Sequence, residues 1–267
     1  MLSKPLLEYL HRVPGALVSG TPLFERDADI YVILDGCRVD TFRQWYPDAD
    51  AYWSVGASSK EWLTATFNDD TNVAYITGNP FADRVRDDVA YLHRESVQDC
   101  DGVETVPPDV LVDHAAAVWR DRAEYGIDTV VVHLMQPHVP FRSRPEWFSG
   151  RDDWGSARWR DIGDDIDRRE WFEAYRDNLQ WALTEGVERL RRRVDATIGI
   201  TADHGNAAGE WGVYSHPSGV AVPAVRKVPW TTVDGEAVEA VGQVAASASK
   251  DRKRDLEALG YLEEVAE

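Results

Sequence analysis

The sequence predicts a three-layer α/β domain built on a mostly parallel central sheet. Three observations point there. Apolar runs of strand length alternate with helical patterns along most of the 267 residues. One run, Asp128-Thr129-Val130-Val131-Val132-His133-Leu134, is almost continuously apolar and suits a strand covered on both faces. Two other runs end in an acid. Asp29-Ile30-Tyr31-Val32-Ile33-Leu34 leads into Asp35-Gly36, and Ala196-Thr197-Ile198-Gly199-Ile200-Thr201 leads through Ala202 into Asp203-His204-Gly205. In an open α/β sheet, such ends converge on the crevice at the carboxyl edge. The long alternating pattern favours one domain, 1–267, over two small ones.

The first 28 residues mix a short amphipathic segment, Leu6 to Val13, with Pro and Gly turns, and are expected to cross the sheet edge. After the first strand, a helix is predicted from Val39 to Trp45, ending before Tyr46-Pro47. Ala51 to Val55 suits a strand. Gly56-Ala57-Ser58-Ser59 turns into a helix, Lys60 to Phe67, and Ser58 with Glu61 fits a capping box. Val73 to Thr77 reads as a strand, and shorter ones are expected around Ala90 to Leu92 and Val103 to Val106. Pro107-Pro108-Asp109 opens a helix running to about Glu124. Trp171 to Arg193 is a long helix, Val225 to Trp230 a late strand, and Lys250 to Leu262 a terminal helix.

Arg142 to Arg169 breaks the pattern. It is rich in Trp, Arg and Asp and has no clean period. It is expected to be a lid inserted over the carboxyl end of the sheet, because structureless loops of this length are usually functional or disordered. Its Trp147, Trp154 and Trp159 argue against disorder.

Composition narrows the function. Asp and Glu number 47 against 29 Lys and Arg, a net charge of −18. That surface repels phosphate backbones, so nucleic acid is disfavoured as a partner. Lysine occurs only at Lys4, Lys60, Lys227, Lys250 and Lys253. An acidic, lysine-poor chain resembles the proteins of salt-loving archaea. No run approaches the ~18 apolar residues of a membrane span, so a soluble cytoplasmic protein is expected. Cys37 and Cys100 form no disulfide framework, and each suits a small buried hydrophobe.

The strand-end acids carry the chemistry. Adjacent Asp203 and His204 offer an oxygen and a nitrogen to one cation, and Asp35 a second carboxylate. An Asp in such a place also serves as a turn former or helix cap. Ser59, in the first turn of its helix, lies where an oxyanion meets the positive helix end. A cation on its hydroxyl favours the alkoxide nucleophile; simple capping by Ser58 and Ser59 is the alternative. His138 lies on a Pro-bracketed loop after a strand, and His216 follows Asp203-His204 by a loop. His133 alternates with the core and reads as a buried, hydrogen-bonded histidine. Arg38 suits either a bound oxyanion or a salt bridge to a nearby acid.

The order of these elements is an Asp at the first strand end, a hydroxyl at a helix entrance, Pro-His-x-Pro, Asp-His-Gly and a later His. This order resembles that of the alkaline phosphatase and sulfatase superfamily. Asp35-Gly36-Cys37-Arg38-Val39-Asp40 is similar to the first metal motif of its archaeal sulfatase-like members. Leu134-Met135-Gln136-Pro137-His138-Val139-Pro140-Phe141 is similar to a loop that contacts the substrate oxyanion, and Ala258-Leu259-Gly260-Tyr261-Leu262 to a frequent C-terminus. Two positions depart from the pattern. Ser59 is followed by Lys60-Glu61-Trp62-Leu63 and not by the x-Pro-x-Arg that formylglycine sulfatases need. Leu134 stands where two-metal members carry an Asp four residues before His138.

The resemblance implies an alkaline phosphatase-like fold and a metal-dependent hydrolase or phosphotransferase acting on phosphate esters. Asp35, Ser59, Asp203 and His204 are expected to bind Mn²⁺ or Zn²⁺, less readily Mg²⁺. Ser59 is expected to attack, with His138, His216 and Arg38 serving the oxyanion or leaving group. The expected substrate is a small-molecule, glycan or lipid-headgroup ester. The alternatives are a sulfate-ester hydrolase without formylglycine, or a degenerate member that binds a ligand without turnover.

Overall fold

Five consecutive apolar residues make the centre of the molecule. Strand β1, Ile30–Leu34, is buried at every position. Both faces of the sheet are therefore covered there, as the apolar runs predict. A computed structural model gives the fold and describes residues 18–67, 71–149, 156–162 and 165–242. Helix α1, Val39–Phe42, leads to β2, Asp50–Trp53. Helix α2, Ser59–Thr66, precedes β3, Thr71–Thr77, and β4, Val89–Arg94. Strands β5, Gln98–Cys100, and β6, Val103–Thr105, pair with each other as a separate hairpin. Helix α3, Pro108–Tyr125, starts with Pro at its first turn and ends at Gly126 with φ 64°. Both ends follow the usual asymmetry, because Pro needs no donor there and Gly accepts the left-handed exit.

Strand β7, Thr129–Leu134, follows. Helix α4, Arg168–Trp181, continues through a π-helical turn, Ala182–Glu188, into Arg189–Arg191. Strand β8, Thr197–Thr201, ends at the second acid. Strands β9, Ala207–Ala208, and β10, Tyr214–Ser215, form a short hairpin. Strand β11 is Lys227–Asp234. The main sheet has the order β2-β11-β8-β1-β7-β3-β4. Only β11 runs antiparallel to its neighbours; the other pairs are parallel.

Several expectations shift. Helix α1 stops at Phe42 and turns carry the chain through Trp45. The late strand begins at Lys227, because Pro223 opens a helical turn, Pro223–Arg226, that takes Val225 and Arg226. The capping box is not formed. Ser58 sits at the N-cap without a capping bond, its hydroxyl 3.2 Å from Ser218 Oγ, and Glu61 Oε2 accepts from Ala57 N at 2.8 Å. Glu61 therefore closes the turn one residue earlier than the pattern predicts. Leu6 to Val13, Trp154 and the predicted helix Lys250 to Leu262 lie outside the described residues.

The described part of Arg142 to Arg169 is packed. Phe148, Trp159, Ile162 and Ile166 are buried against Val139 and Phe141 after β7 and Trp171, Ala174 and Tyr175 of α4. Ala208 of β9 joins the cluster. The segment thus lies beside the loops that leave the carboxyl ends of β7 and β8.

Candidate metal centre and nucleophile

Strand register brings the two acids level. Ile33 pairs with Thr201 in the parallel β1–β8 ladder. Two residues further along each strand stand Asp35 and Asp203, both on the same face by the two-residue alternation. Gly36 makes the exit tight. Its φ is +66°, and a Cβ there would lie 2.3 Å from Asn206 Nδ2. Its N–H donates to Asp203 Oδ1 at 3.0 Å.

Helix α2 delivers the hydroxyl. Ser59, its first residue, is buried and donates to Asp203 Oδ2 at 2.6 Å. The same oxygen lies 3.4 Å from Asp35 Oδ2 and 3.4 Å from His204 Nε2. His204 Nδ1 stands 2.8 Å from the Gly205 carbonyl. A carbonyl only accepts, so Nδ1 carries a proton and Nε2 is the nitrogen turned to the cluster. One ligand atom from each of Asp35, Asp203 and His204 lies within 4.8 Å of the others, and all three residues are buried.

The chemistry of this set fits a cation. Burial pushes the Asp203 carboxyl up, but His204, His133, the Ser59 hydroxyl and the Gly36 N–H together hold it below its usual range. It is therefore ionised, and among the described residues no Lys or Arg is paired with it. A buried carboxylate without a paired cation is costly, and a bound divalent ion removes that cost. Asp35, Asp203, His204 and the Ser59 hydroxyl would hold it.

Beside this group stand the other two histidines. His138 Nε2 and His216 Nε2 are 3.1 Å apart, and the His216 ring stacks on His204 with centroids 4.2 Å apart. His138 Nδ1 lies 2.8 Å from the Val139 carbonyl. Burial pushes His138 down to about 4 and His216 well below its ordinary value. Both are neutral at pH 7, so they share one proton across the short contact.

The structure also brings in residues that sequence reasoning passed over. His133 is fully buried, as expected, but it faces the site. Its Nδ1 is 2.8 Å from Tyr75 OH, and its Nε2 lies 3.6 Å from Asp35 Oδ2 and 3.7 Å from Asp203 Oδ2. Among the described residues, Nε2 has no hydrogen-bond partner. Its register partner is Ile33, two before Asp35, so the side chains share a face. Asn79 Nδ2 reaches Asp35 Oδ2 at 3.5 Å.

Arg38 is a correction. Its guanidinium pairs with Asp40 and Glu210 and donates to the Asn206 carbonyl at 2.7 Å. Of the two roles weighed for it, the salt bridge forms, and the guanidinium is consumed there rather than offered to an oxyanion. Cys37 is fully buried and burial pushes its thiol far up, so it is a packing residue.

No protein-family model and no curated protein matches the sequence. Solved structures match the fold. The soluble domain of lipooligosaccharide phosphoethanolamine transferase A from Neisseria meningitidis aligns with TM-score 0.50 at 12% identity, covering 78% of this chain and 76% of that one. The integral membrane protein EptA from the same organism also gives 0.50, at 13% identity, covering 78% of this chain. This chain spans about half of that protein's length, 47%. The C-terminal periplasmic domain of phosphoethanolamine transferase EptC from Campylobacter jejuni gives 0.46 at 16% identity, covering 76% and 78%. The fold is the alkaline phosphatase-like fold that the motif order implies. Among the described residues no helix is long and apolar enough to cross a membrane.

Proposed function

We propose that this chain is a metal-dependent phosphotransferase or phosphoester hydrolase with Ser59 as its nucleophile. One observation carries the reading: the Ser59 hydroxyl, at a helix entrance, lies among Asp35, Asp203 and His204. The fold it shares with phosphoethanolamine transferase domains supports it. A bound divalent cation, Mn²⁺ or Zn²⁺ by the mixed oxygen and nitrogen donors, would favour the ionised hydroxyl and balance negative charge on the phosphoryl group.

The chain's own residues do the rest. Ser59 gives up its hydroxyl proton to solvent as the ionised form is favoured, Oγ attacks phosphorus, the Oγ–P bond forms, and the ester P–O bond breaks in line with it. A dianionic phosphoryl group beside His138 and His216 raises both, so the pair takes up a proton on binding. That proton goes to the departing oxygen. Water or an acceptor alcohol then breaks the Oγ–P bond and restores the serine. The described residues of 142–169, packed beside the loops that leave β7 and β8, act as a lid over the bound ester.

A screen of phosphomonoesters, phosphodiesters and sulfate esters tests the reading. With Mn²⁺ or Zn²⁺, turnover of a phosphate ester is expected, lost on chelation. Stoichiometric metal with no turnover of any ester would leave a ligand-binding protein instead.

A further inference from the structure

The β9–β10 hairpin grows out of the site. His204 lies three residues before Ala207, and His216 follows Ser215 directly. The two imidazoles at its root stack at 4.2 Å. Its tip is Gly209-Glu210-Trp211-Gly212, and there Trp211 has φ 56° and ψ 21°. Ser215 has φ 62°. Two non-glycine residues of one hairpin thus hold the left-handed conformation, which is uncommon for a bulky side chain and costs stability. Gly or Asn in place of Trp211 would avoid that cost. Burial does not offset it, because Trp211 is 71% exposed.

The tip is also braced. Glu210 pairs with Arg38 at 3.0 Å and Arg168 at 3.2 Å, and it accepts from Ala208 N. Gly209 N donates to Val213 O at 2.8 Å. Arg38 and Arg168 both lie over Phe172, 5.2 Å from its centroid. An exposed, strained ring on a rigid mount is a feature of binding rather than of stability.

Its position narrows the ligand. Among the described residues the other exposed large hydrophobics are Phe24, Tyr125 and Val238. They precede β1, precede β7 and follow the antiparallel β11, so all three lie toward the amino end of the parallel strands. Among the described residues, Trp211 is the exposed large hydrophobic at the carboxyl end. A lone ring rimmed by charge is too small for a lipid surface, which needs a contiguous apolar patch. It suits one flat, hydroxylated ring, whose C–H face stacks on indole while its hydroxyls meet the polar rim. Trp211 is five residues from His216, so at about 3.3 Å per extended residue the tip stands no more than roughly 17 Å from that imidazole. A saccharide carried by a bound phosphate falls within that span.

We propose that Trp211 is the specificity platform of this site and stacks on a saccharide carried by the phosphate ester. This rests on the phosphoester reading, and the test separates the two. Trp211→Asn removes the ring and keeps a residue that tolerates left-handed φ. Wild type and variant are compared on methyl phosphate and on a hexose phosphate. The variant is expected to lose roughly tenfold in kcat/KM on the hexose phosphate and to match wild type on methyl phosphate. Its melting temperature is expected to stay level or rise, and Trp211→Tyr is expected to restore part of the loss. Equal behaviour of variant and wild type on the hexose phosphate, or equal losses on both esters, would overturn the platform. If wild type turns over neither ester, the catalytic reading fails by itself. Calorimetric binding of the two phosphates to the metal-loaded protein then decides: tighter hexose phosphate binding that Trp211→Asn abolishes supports the platform, and indifference overturns it.

Discussion

Two neighbouring regions at the carboxyl edge of the sheet are built on opposite principles. The first gathers Asp35, Ser59, His133, Asp203 and His204, all buried polar or charged. The second gathers Phe141, Trp159, Trp171 and Tyr175, all buried aromatics. In the second, Phe141 and Trp171 meet edge to face at 4.8 Å, and Trp159 and Trp171 at 5.0 Å. Such contacts supply area burial and quadrupole attraction. In the first, desolvation acts against each charged group, and neighbouring histidines, the Ser59 hydroxyl and the Gly36 N–H offset it at Asp203. The regions touch through Tyr175. Its hydroxyl donates to Gly36 O at 2.7 Å and accepts from Arg38 N at 2.9 Å. The aromatic region thus holds the strand end on which Asp35 sits. One region concentrates buried charge and the other holds its strand end in place.

Substitutions at the two regions should therefore have opposite signatures. Asp203→Ala is expected to abolish metal binding while the metal-free protein keeps its fold, because a buried charge is removed. Metal stoichiometry and circular dichroism check it; a folded variant with unchanged stoichiometry would take Asp203 out of the site. Trp171→Ala should reverse the pattern, costing about 3–5 kcal/mol of stability with metal still bound by the folded fraction. Denaturant titration measures this, and a loss under 1 kcal/mol would break the contrast.

A buried histidine in neither region sharpens it. His114 stacks on His93 with centroids 3.7 Å apart and meets Tyr91 OH at 2.7 Å. Burial, helped by the neighbouring His93, pushes it down to about 4. The unfolded chain, titrating near the ordinary 6.5, binds more protons between those values. Stability should then fall as pH drops from about 6.5 through 4. His114→Gln is expected to flatten part of that fall, leaving the part due to the site histidines. An unchanged acid limb in the variant would assign the whole effect to the other groups.

The smallest effect concerns the surface that surrounds both regions. With net −18, self-repulsion should be screened in salt, where the Debye length is about 3 Å at 1 M. A higher melting temperature in molar KCl than in dilute buffer is expected, and a salt-independent curve would contradict a salt-adapted surface.

What the sequence made legible follows from range. Asp35, Asp203 and His204 sit at ends of apolar runs, and Ser59 at a helix entrance, so local pattern sufficed to single them out. The central strands were legible because their apolar runs lack any competing helical period. His133 was assigned only to the core, since its facing depends on pairing with Ile33 from a strand 100 residues away. Arg38 was ambiguous for a similar reason: Glu210 lies 172 residues on. The capping box does not form because Glu61 accepts from Ala57 N, one residue before the Ser58 N–H that the pattern selects. The strained hairpin was not legible at all, because a positive φ at Trp211 runs against its residue type.

Rapid acid quench with a turned-over phosphate ester tests directly whether Ser59 attacks phosphorus. Mass spectrometry is expected to find phosphate on Ser59, and Ser59→Ala to lose on the order of 10³-fold or more in turnover. Phosphate on Ser58 or Thr64 instead, or full activity in Ser59→Ala, would contradict the account.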